Sequence, residues 1–265
     1  EAGSAALIIS KIERPSAVHH IEEILDVSDG IMVARGDLGV EVPAAEVPII
    51  QKELILRANS KHRLVITATQ MLESMTEKPV PTRAEATDVA NAVLDGSDAV
   101  MLSAETSVGK YPVRTVRTMD RIVREAEEKG GDFKTPLPDP RPVPGQDSDR
   151  SSFAVAEAAT SAAREVDARC IVAFTRSGYT AALLAKLRPE HAVVAFTSRE
   201  EVISRMKFLR GVTPLYMEHI DSTDAMIREV EKSLLERRLA RRGETVIITA
   251  SLPMANTGKT NFLKI

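Results

Sequence analysis

The sequence predicts an α/β chain in two parts: a series of βα units forming a parallel sheet, then an open, mostly parallel α/β domain. Three observations carry this reading. Short apolar runs alternate with longer segments in which apolar residues recur every three or four positions. The short runs are almost continuously apolar, as strands buried on both faces must be. One segment, in which Pro136, Pro138, Pro140, Pro142 and Pro144 alternate with other residues, breaks the pattern and suits an extended linker over 131–149.

The strands expected in the first part are Ala5–Ile12, Gly30–Ala34, Leu64–Ala68 and Ala99–Ser103. Between and after them lie four helical patterns: Val18, Ile21, Leu25; Val47, Ile50, Leu54; Val89, Val93; and Val116, Met119, Val123, Ala126. Each set falls on one helix face. Thr82-Arg-Ala-Glu85 reads as a capping box opening the third helix, and Pro112 suits the first turn of the fourth. Four βα units over residues 1–130 are half of what a closed eight-stranded barrel of about 250 residues requires. In the second part, over 150–265, helices are expected near 151–166, 180–187, 199–208 and 221–242. The strands expected there are Cys170–Phe174, Ala192–Phe196, Val212–Tyr216, Thr245–Ala250 and a last one near Phe262–Ile265.

Composition narrows the function classes. Of 265 residues, 43% are hydrophobic and 28% charged, which excludes global disorder. A net charge of −3 and 3% aromatics with no Trp argue against a phosphate-contacting or base-stacking nucleic-acid binder. The longest charge-free run, Thr245–Gly258, is too short and too polar to span a membrane. Glu1-Ala-Gly-Ser shows neither a basic nor an apolar leader segment, so no signal peptide is expected. The single cysteine, Cys170, points to a cytoplasmic protein without a disulfide framework. Charge is uneven: −6 over 1–130 and +4 over 151–265.

A polar cluster follows each strand of the first part: Lys11-Ile-Glu13, Arg35-Gly36-Asp37, Thr67-Ala-Thr69-Gln70 and Ser103-Ala-Glu105-Thr106. In parallel α/β folds the carboxyl ends of strands build the active face. Lys11 and Glu13 are two residues apart and project to the same side of a strand. Glu13 and Asp37 could share a hard divalent cation, since Mg²⁺ takes one or two carboxylates and completes its shell with water or substrate oxygens. A lysine beside it would stabilise an anionic transition state. The alternative is a structural ion pair, Lys11–Glu13 or Arg35–Asp37.

The strings Ile8-Ile-Ser-Lys-Ile-Glu13, Asp29-Gly-Ile-Met-Val-Ala-Arg-Gly-Asp-Leu-Gly-Val-Glu41, Thr67-Ala-Thr-Gln-Met-Leu-Glu-Ser-Met75, Thr82-Arg-Ala-Glu85 through Gly96, and Met101-Leu-Ser-Ala-Glu-Thr106 with Tyr111-Pro112 closely resemble pyruvate kinase. The resemblance runs in order along nearly the whole chain. It implies the second half of a (β/α)₈ TIM barrel followed by the regulatory domain. The implied activity is glycolytic phosphoryl transfer from phosphoenolpyruvate to ADP, giving pyruvate and ATP. Lys11 would neutralise the phosphoryl group in flight. Glu13 and Asp37 would hold the Mg²⁺ or Mn²⁺ that binds the enolate. The backbone of Ala34, Arg35, Gly36 and Asp37 would meet the substrate, with glycine permitting close approach. Thr69 would sit beside the enolate, and Ser103 and Glu105 would line the pocket. The family also uses K⁺. Its ligands, the lid domain and four further barrel strands belong to family parts with no counterpart in this sequence. A catalytically incomplete effector-binding or assembly module is therefore the alternative.

In the second part, Thr175-Arg-Ser-Gly-Tyr-Thr180 joins a strand to a helix. Hydroxyls, a glycine and helix-start N–H groups suit a phosphate. The resemblance makes Thr175, Arg176, Ser177, Gly178 and Thr180 the site of an allosteric sugar phosphate, closed by the loop Pro253–Thr260 with Lys259 as a second contact. An ordinary strand–helix turn is the alternative. The family's homotetramers imply a homo-oligomer. His19 and His20 read as a solvated helix face, Cys170 as inert core, and Arg237, Arg238, Arg241 and Arg242 as cations suited to a helix carboxyl end.

Overall fold

A computed structural model describes residues 6–130, 150–218, 220, 222–252 and 259–265. The chain divides into two compact units, Glu1–Asp139 and Pro140–Ile265. The expected linker over 131–149 lies outside the described residues, as do Ala5, Asp221 and most of the expected late loop, 253–258.

The first unit is a parallel four-stranded sheet of order β1 (Ile9–Ile12), β2 (Gly30–Ala34), β3 (Leu64–Ala68) and β4 (Ala99–Met101). Every residue of β3 is buried, as is all of β2 except Met32. A Cβ at Gly30 would stand 2.6 Å from the Leu64 carbonyl oxygen, so the approach of β2 to β3 requires glycine there. Ile12, Ile31, Val33 and Val65 pack with Ile21 and Leu25 of α2 (Ile21–Val27) and Leu54, Ile55 and Ala58 of α4 (Val47–Ser60). These helical residues extend the spacing that identified the helices.

The helix expected around Val18–Leu25 is two pieces, α1 (Pro15–His19) and α2, and two further short helices follow strands, α3 (Arg35–Glu41) and α6 (Ala104–Ser107). α3 and α6 begin at the polar clusters themselves, so these clusters are helix starts rather than loops. The fourth strand ends at Met101, short of the expected Ser103. There the backbone turns to φ −123°, ψ −102°, and the Ser103 N–H donates to Glu105 Oε2 at 2.7 Å. α5 (Arg83–Asp95) starts on the expected capping box and stops at Gly96, whose φ of +119° few other residues tolerate. α7 (Pro112–Lys129) has Pro112 in its first turn.

The second unit has strand order β7-β6-β5-β8-β9: β5 (Cys170–Phe174), β6 (Ala192–Thr197), β7 (Val212–Tyr216) and β8 (Val246–Ala250) run parallel, and β9 (Phe262–Lys264) is antiparallel to β8. Its helices are α8 (Arg150–Glu165), α9 (Tyr179–Leu187), α10 (Glu200–Met206) and α11 (Thr223–Glu236). β7 lies at the sheet edge and carries Pro214 opposite Ala195.

The sequence placed the end of α11 near Arg242, and the structure ends it six residues earlier, at Glu236. Arg238 adopts φ +58°, its N–H donates to the Leu235 carbonyl at 3.1 Å, and the Leu239 N–H donates to the Leu234 carbonyl at 2.9 Å. That is a Schellman stop with arginine in the position glycine favours. No helix among the described residues is long and apolar enough to cross a membrane.

Candidate functional site

The site of the first unit forms where β1, β2 and β3 end. Lys11, on β1, directs its Nζ between two carboxylates: it donates to Asp37 Oδ2 at 2.7 Å and pairs with Glu13 Oε2. All three side chains are partly open to solvent. Hydrogen bonding to Asp37, and then to Glu13, raises the Lys11 pKa above the ordinary lysine value. The hydrogen bond and charge of Lys11 hold the Asp37 carboxyl below the usual carboxylate range. At neutral pH the cluster is therefore one fixed ammonium flanked by carboxylate.

The alternative pairing of Arg35 with Asp37 does not form. Arg35 turns inward and is buried, and its Nη1 pairs with Asp88 of α5. Its Nη2 donates to the carbonyls of Thr69 at 2.9 Å and Gln70 at 3.0 Å. A guanidinium offers five donors in a plane, enough to hold one carboxylate and two carbonyls at once. With Arg35 engaged there, Asp37 is left to Lys11. The Lys11–Glu13 pair does form, within the same cluster that could serve chemistry.

Thr69 and Gln70 follow β3 with φ of +67° and +52°. A β-branched residue in that region is a true outlier, and such strain concentrates at functional sites. The Thr69 hydroxyl donates to its own chain at the Ala68 carbonyl, 2.6 Å, and accepts the Gly36 N–H at 2.8 Å. A Cβ at Gly36 would lie 3.3 Å from Thr69 Oγ1, a tight contact. Glycine thus lets the start of α3 approach the end of β3. Glu105 is buried, and its carboxylate accepts the N–H groups of Ser103 at 2.7 Å and Leu72 at 3.1 Å. It ties the β4 end to the segment after β3, while Ser103 contributes that N–H from a half-buried position.

The donor set suits a hard divalent cation. Lys11 engages one oxygen of Glu13 and one of Asp37, and each carboxylate has a second. No group of three or more His, Cys, Asp or Glu side chains placed to hold a metal occurs among the described residues. Two carboxylates with the remaining positions left to water and substrate is the pattern Mg²⁺ accepts.

Sequence reasoning missed three parts of this site. Asp88 sits 53 residues from Arg35, and nothing local marks the partnership. The left-handed turn at Thr69 and Gln70 carries no glycine to announce it. The bracing role of Glu105 rests on backbone N–H groups that pattern reading does not address.

Residues 1–116 match the family model for the pyruvate kinase barrel domain, and residues 153–265 match that for the pyruvate kinase alpha/beta domain. The chain belongs to the pyruvate kinase family. It is 45% identical over 263 residues to a pyruvate kinase of Mycobacterium tuberculosis, covering 99% of this chain and 54% of that protein. To one of Geobacillus stearothermophilus it is 44% identical over 262 residues, covering 97% and 43%. The crystal structure of a pyruvate kinase from Cryptosporidium parvum superposes with a TM-score of 0.84 at 38% identity, covering 97% of this chain and 50% of that one. The chain spans about half the length of the curated relatives it matches.

Within the part matching the pyruvate kinase alpha/beta domain, the strand order reverses at β5, with β6 on one side and β8 on the other. Crevices for ligands in open α/β sheets form outside the carboxyl ends of strands at such a point. The loop from Thr175 to Thr180 lies there. Gly178 caps α9 with φ +88°, and its N–H donates to Thr175 Oγ1 at 2.9 Å. Ser177 Oγ accepts the Tyr179 N–H at 3.3 Å. Thr180 is buried and its hydroxyl meets that of Thr260, the chain neighbour of Lys259, at 2.6 Å. Arg176 and Ser177 are exposed. Five of the six expected residues make up this loop, and the hydroxyls of Thr175 and Thr180 are committed to internal bonds.

Proposed function

We propose that this chain carries the Lys11, Glu13, Asp37 and Thr69 portion of a pyruvate kinase active site. The reaction is phosphoryl transfer from phosphoenolpyruvate to ADP in glycolysis. The observation that carries the reading is the Lys11 ammonium held between Glu13 and Asp37 at the ends of two adjacent strands. In the transfer, a β-phosphate oxygen of ADP bonds to phosphorus while the bond from phosphorus to the enol oxygen breaks. The enolate left behind takes a proton at its methylene carbon to become pyruvate. Such a transition state asks for positioning and charge neutralisation.

Lys11 answers the second demand. Its raised pKa keeps the ammonium charged throughout the physiological range. Glu13 and Asp37 orient it and would hold Mg²⁺ or Mn²⁺, which supplies further positive charge when bound. The Ala34–Asp37 segment starts a helix, and its N–H groups other than that of Gly36 favour a carboxylate there. Arg35 and Gly36 fix the Thr69 turn from two sides, so the Thr69 hydroxyl keeps its place as charge moves. Ser103 and Glu105 brace the neighbouring strand end. K⁺ belongs to the same reading as a family requirement.

The second unit would bind a sugar-phosphate effector at Thr175–Thr180 with Arg176, Ser177 and Lys259. The position at the strand-order reversal supports this. A cytoplasmic homo-oligomer completes the proposal.

A second reading is favoured by the sheet itself. Order β1-β2-β3-β4 does not close on itself among the described residues, so the chain alone would act in binding and assembly without turnover. One experiment separates the two. Pyruvate formation is followed with phosphoenolpyruvate, ADP, Mg²⁺ and K⁺, for the chain alone and for the chain joined to the amino-terminal half of a matching relative. Turnover is expected in the joined form, and Lys11→Met should lower it on the order of 10³-fold. Near-normal turnover with Lys11→Met overturns the assignment. Potassium-dependent turnover of the chain alone overturns the second reading.

A further inference from the structure

We infer that the second unit holds another anion site, for a small phosphomonoester, in the cleft between the carboxyl end of α11 and the amino ends of β5 and β8. The cleft has a volume of about 480 Å³ and is lined by Arg169, Leu235, Arg238, Ala240, Arg241 and Glu244. That is ample for a sugar phosphate or nucleotide. It lies at the opposite end of β5 from the Thr175 loop, roughly 17 Å away along the strand. Nothing in the proposed catalytic or effector role uses it.

Three arginines line this space against one glutamate. Arg169 Nε donates to the Leu239 carbonyl at 3.1 Å, which anchors the side chain and leaves the two terminal nitrogens for a ligand. Glu244 offsets part of this charge as an ion-pair partner of Arg169. Its Oε2 accepts the Arg241 backbone N–H at 2.7 Å and stands 3.9 Å from Arg169 Nε. Among the described residues no carboxylate pairs with the Arg238 or Arg241 side chain.

The second observation is backbone strain. Arg238 occupies the left-handed position of the Schellman stop, where glycine is favoured and a side chain is penalised. A cation serving only the helix dipole needs no such position. Arg237 or Arg242 beside it would do as well with an ordinary backbone. Arg238, held in this strained position, lines the cleft together with Arg169 and Arg241. Planar forks of this kind grip phosphate oxygens in pairs. Leu235 and Ala240 add apolar wall for the body of the ligand.

The test uses the whole chain with Ser177→Asp, which places a carboxylate in the Thr175 loop and removes that loop as a competing phosphate site. Calorimetric titration with ribose 5-phosphate is expected to show one remaining binding event. Adding Arg238→Gly and Arg241→Gln should weaken it at least tenfold. Arg238→Gly alone should weaken it while raising the thermal unfolding midpoint, because glycine relieves the strain. Binding and stability moving in opposite directions separates a ligand site from a structural role. The inference is overturned if the Ser177→Asp chain binds no ribose 5-phosphate, or if its binding survives the two arginine changes. It is also overturned if a single-stranded oligonucleotide outcompetes ribose 5-phosphate for these arginines.

Discussion

The guanidinium of Arg35 donates to the carbonyl of Thr69 at 2.9 Å, so a side chain from the end of β2 holds the strained backbone that follows β3. Position in the strand ends explains why Arg35 is not at the surface with Asp37. Its work is to satisfy two carbonyls in a turn that offers them no ladder partner.

Arg35→Met should therefore destabilise the first unit by about 2–3 kcal/mol. The value sits toward the low side for a buried pair because Asp88 is 44% exposed and stays hydrated when its partner is lost. Urea unfolding measures it, and a change under about 0.5 kcal/mol would show that the turn holds itself.

Gln70 has an exposed side chain on a left-handed backbone, φ +52°. Gln70→Gly should stabilise the chain by about 0.5–1 kcal/mol, since the strain is relieved and little packing is lost. A lower thermal midpoint in the variant would mean that the side chain holds the turn in place.

Glu85 gathers the start of α5. Its carboxylate accepts the Ser74 and Thr82 N–H groups, each at 2.7 Å, and the hydroxyls of both residues. Burial pushes its pKa up, but the hydrogen bonds from Ser74 and Thr82 outweigh this and leave it below the usual 4.5. A carboxyl lowered on folding stabilises above its unfolded pKa and loses that contribution as pH falls through the folded value. Glu85→Gln should cost about 1 kcal/mol at pH 7, and the stability gap between the two proteins should begin to shrink as pH falls below the unfolded carboxyl value of about 4.3. Parallel stability curves down to pH 3 would contradict this.

Burial pushes the Cys170 thiol up to about 11, with Arg169 lowering it somewhat and Glu244 opposing that. At pH 8 the side chain is protonated and 2% exposed, so iodoacetamide should label it in denaturant and leave it unlabelled in the native chain. A thiol raised on folding stabilises fully below its unfolded pKa. That contribution is lost as pH climbs from 9.0 toward 11. Cys170→Ala should flatten that part of the alkaline limb, and an unchanged limb would contradict the assignment.

What the sequence made legible was mostly local. The capping box at Thr82 and Glu85, the proline in the first turn of α7 and the buried strands all announce themselves within a few residues. Lys11 and Glu13 could be placed together because a two-residue spacing on a strand fixes their side. The rest depended on distant partners or on residues breaking habit. Asp88 draws Arg35 away from Asp37 across 53 positions. α11 stops at Glu236 because Arg238 takes a conformation expected of glycine, and a periodic pattern gives no warning of that.

Pro214 in the edge strand β7 has a consequence beyond the fold. The outer face of an edge strand is a template on which another chain can add its own strand. Proline has no N–H to offer such a visitor, and its ring interrupts the flat surface the visitor would follow. The second sheet is thus guarded on that side against growth into aggregates. A crowded solution should find this edge a poor seed, and replacing the ring with valine, Pro214→Val, would open it.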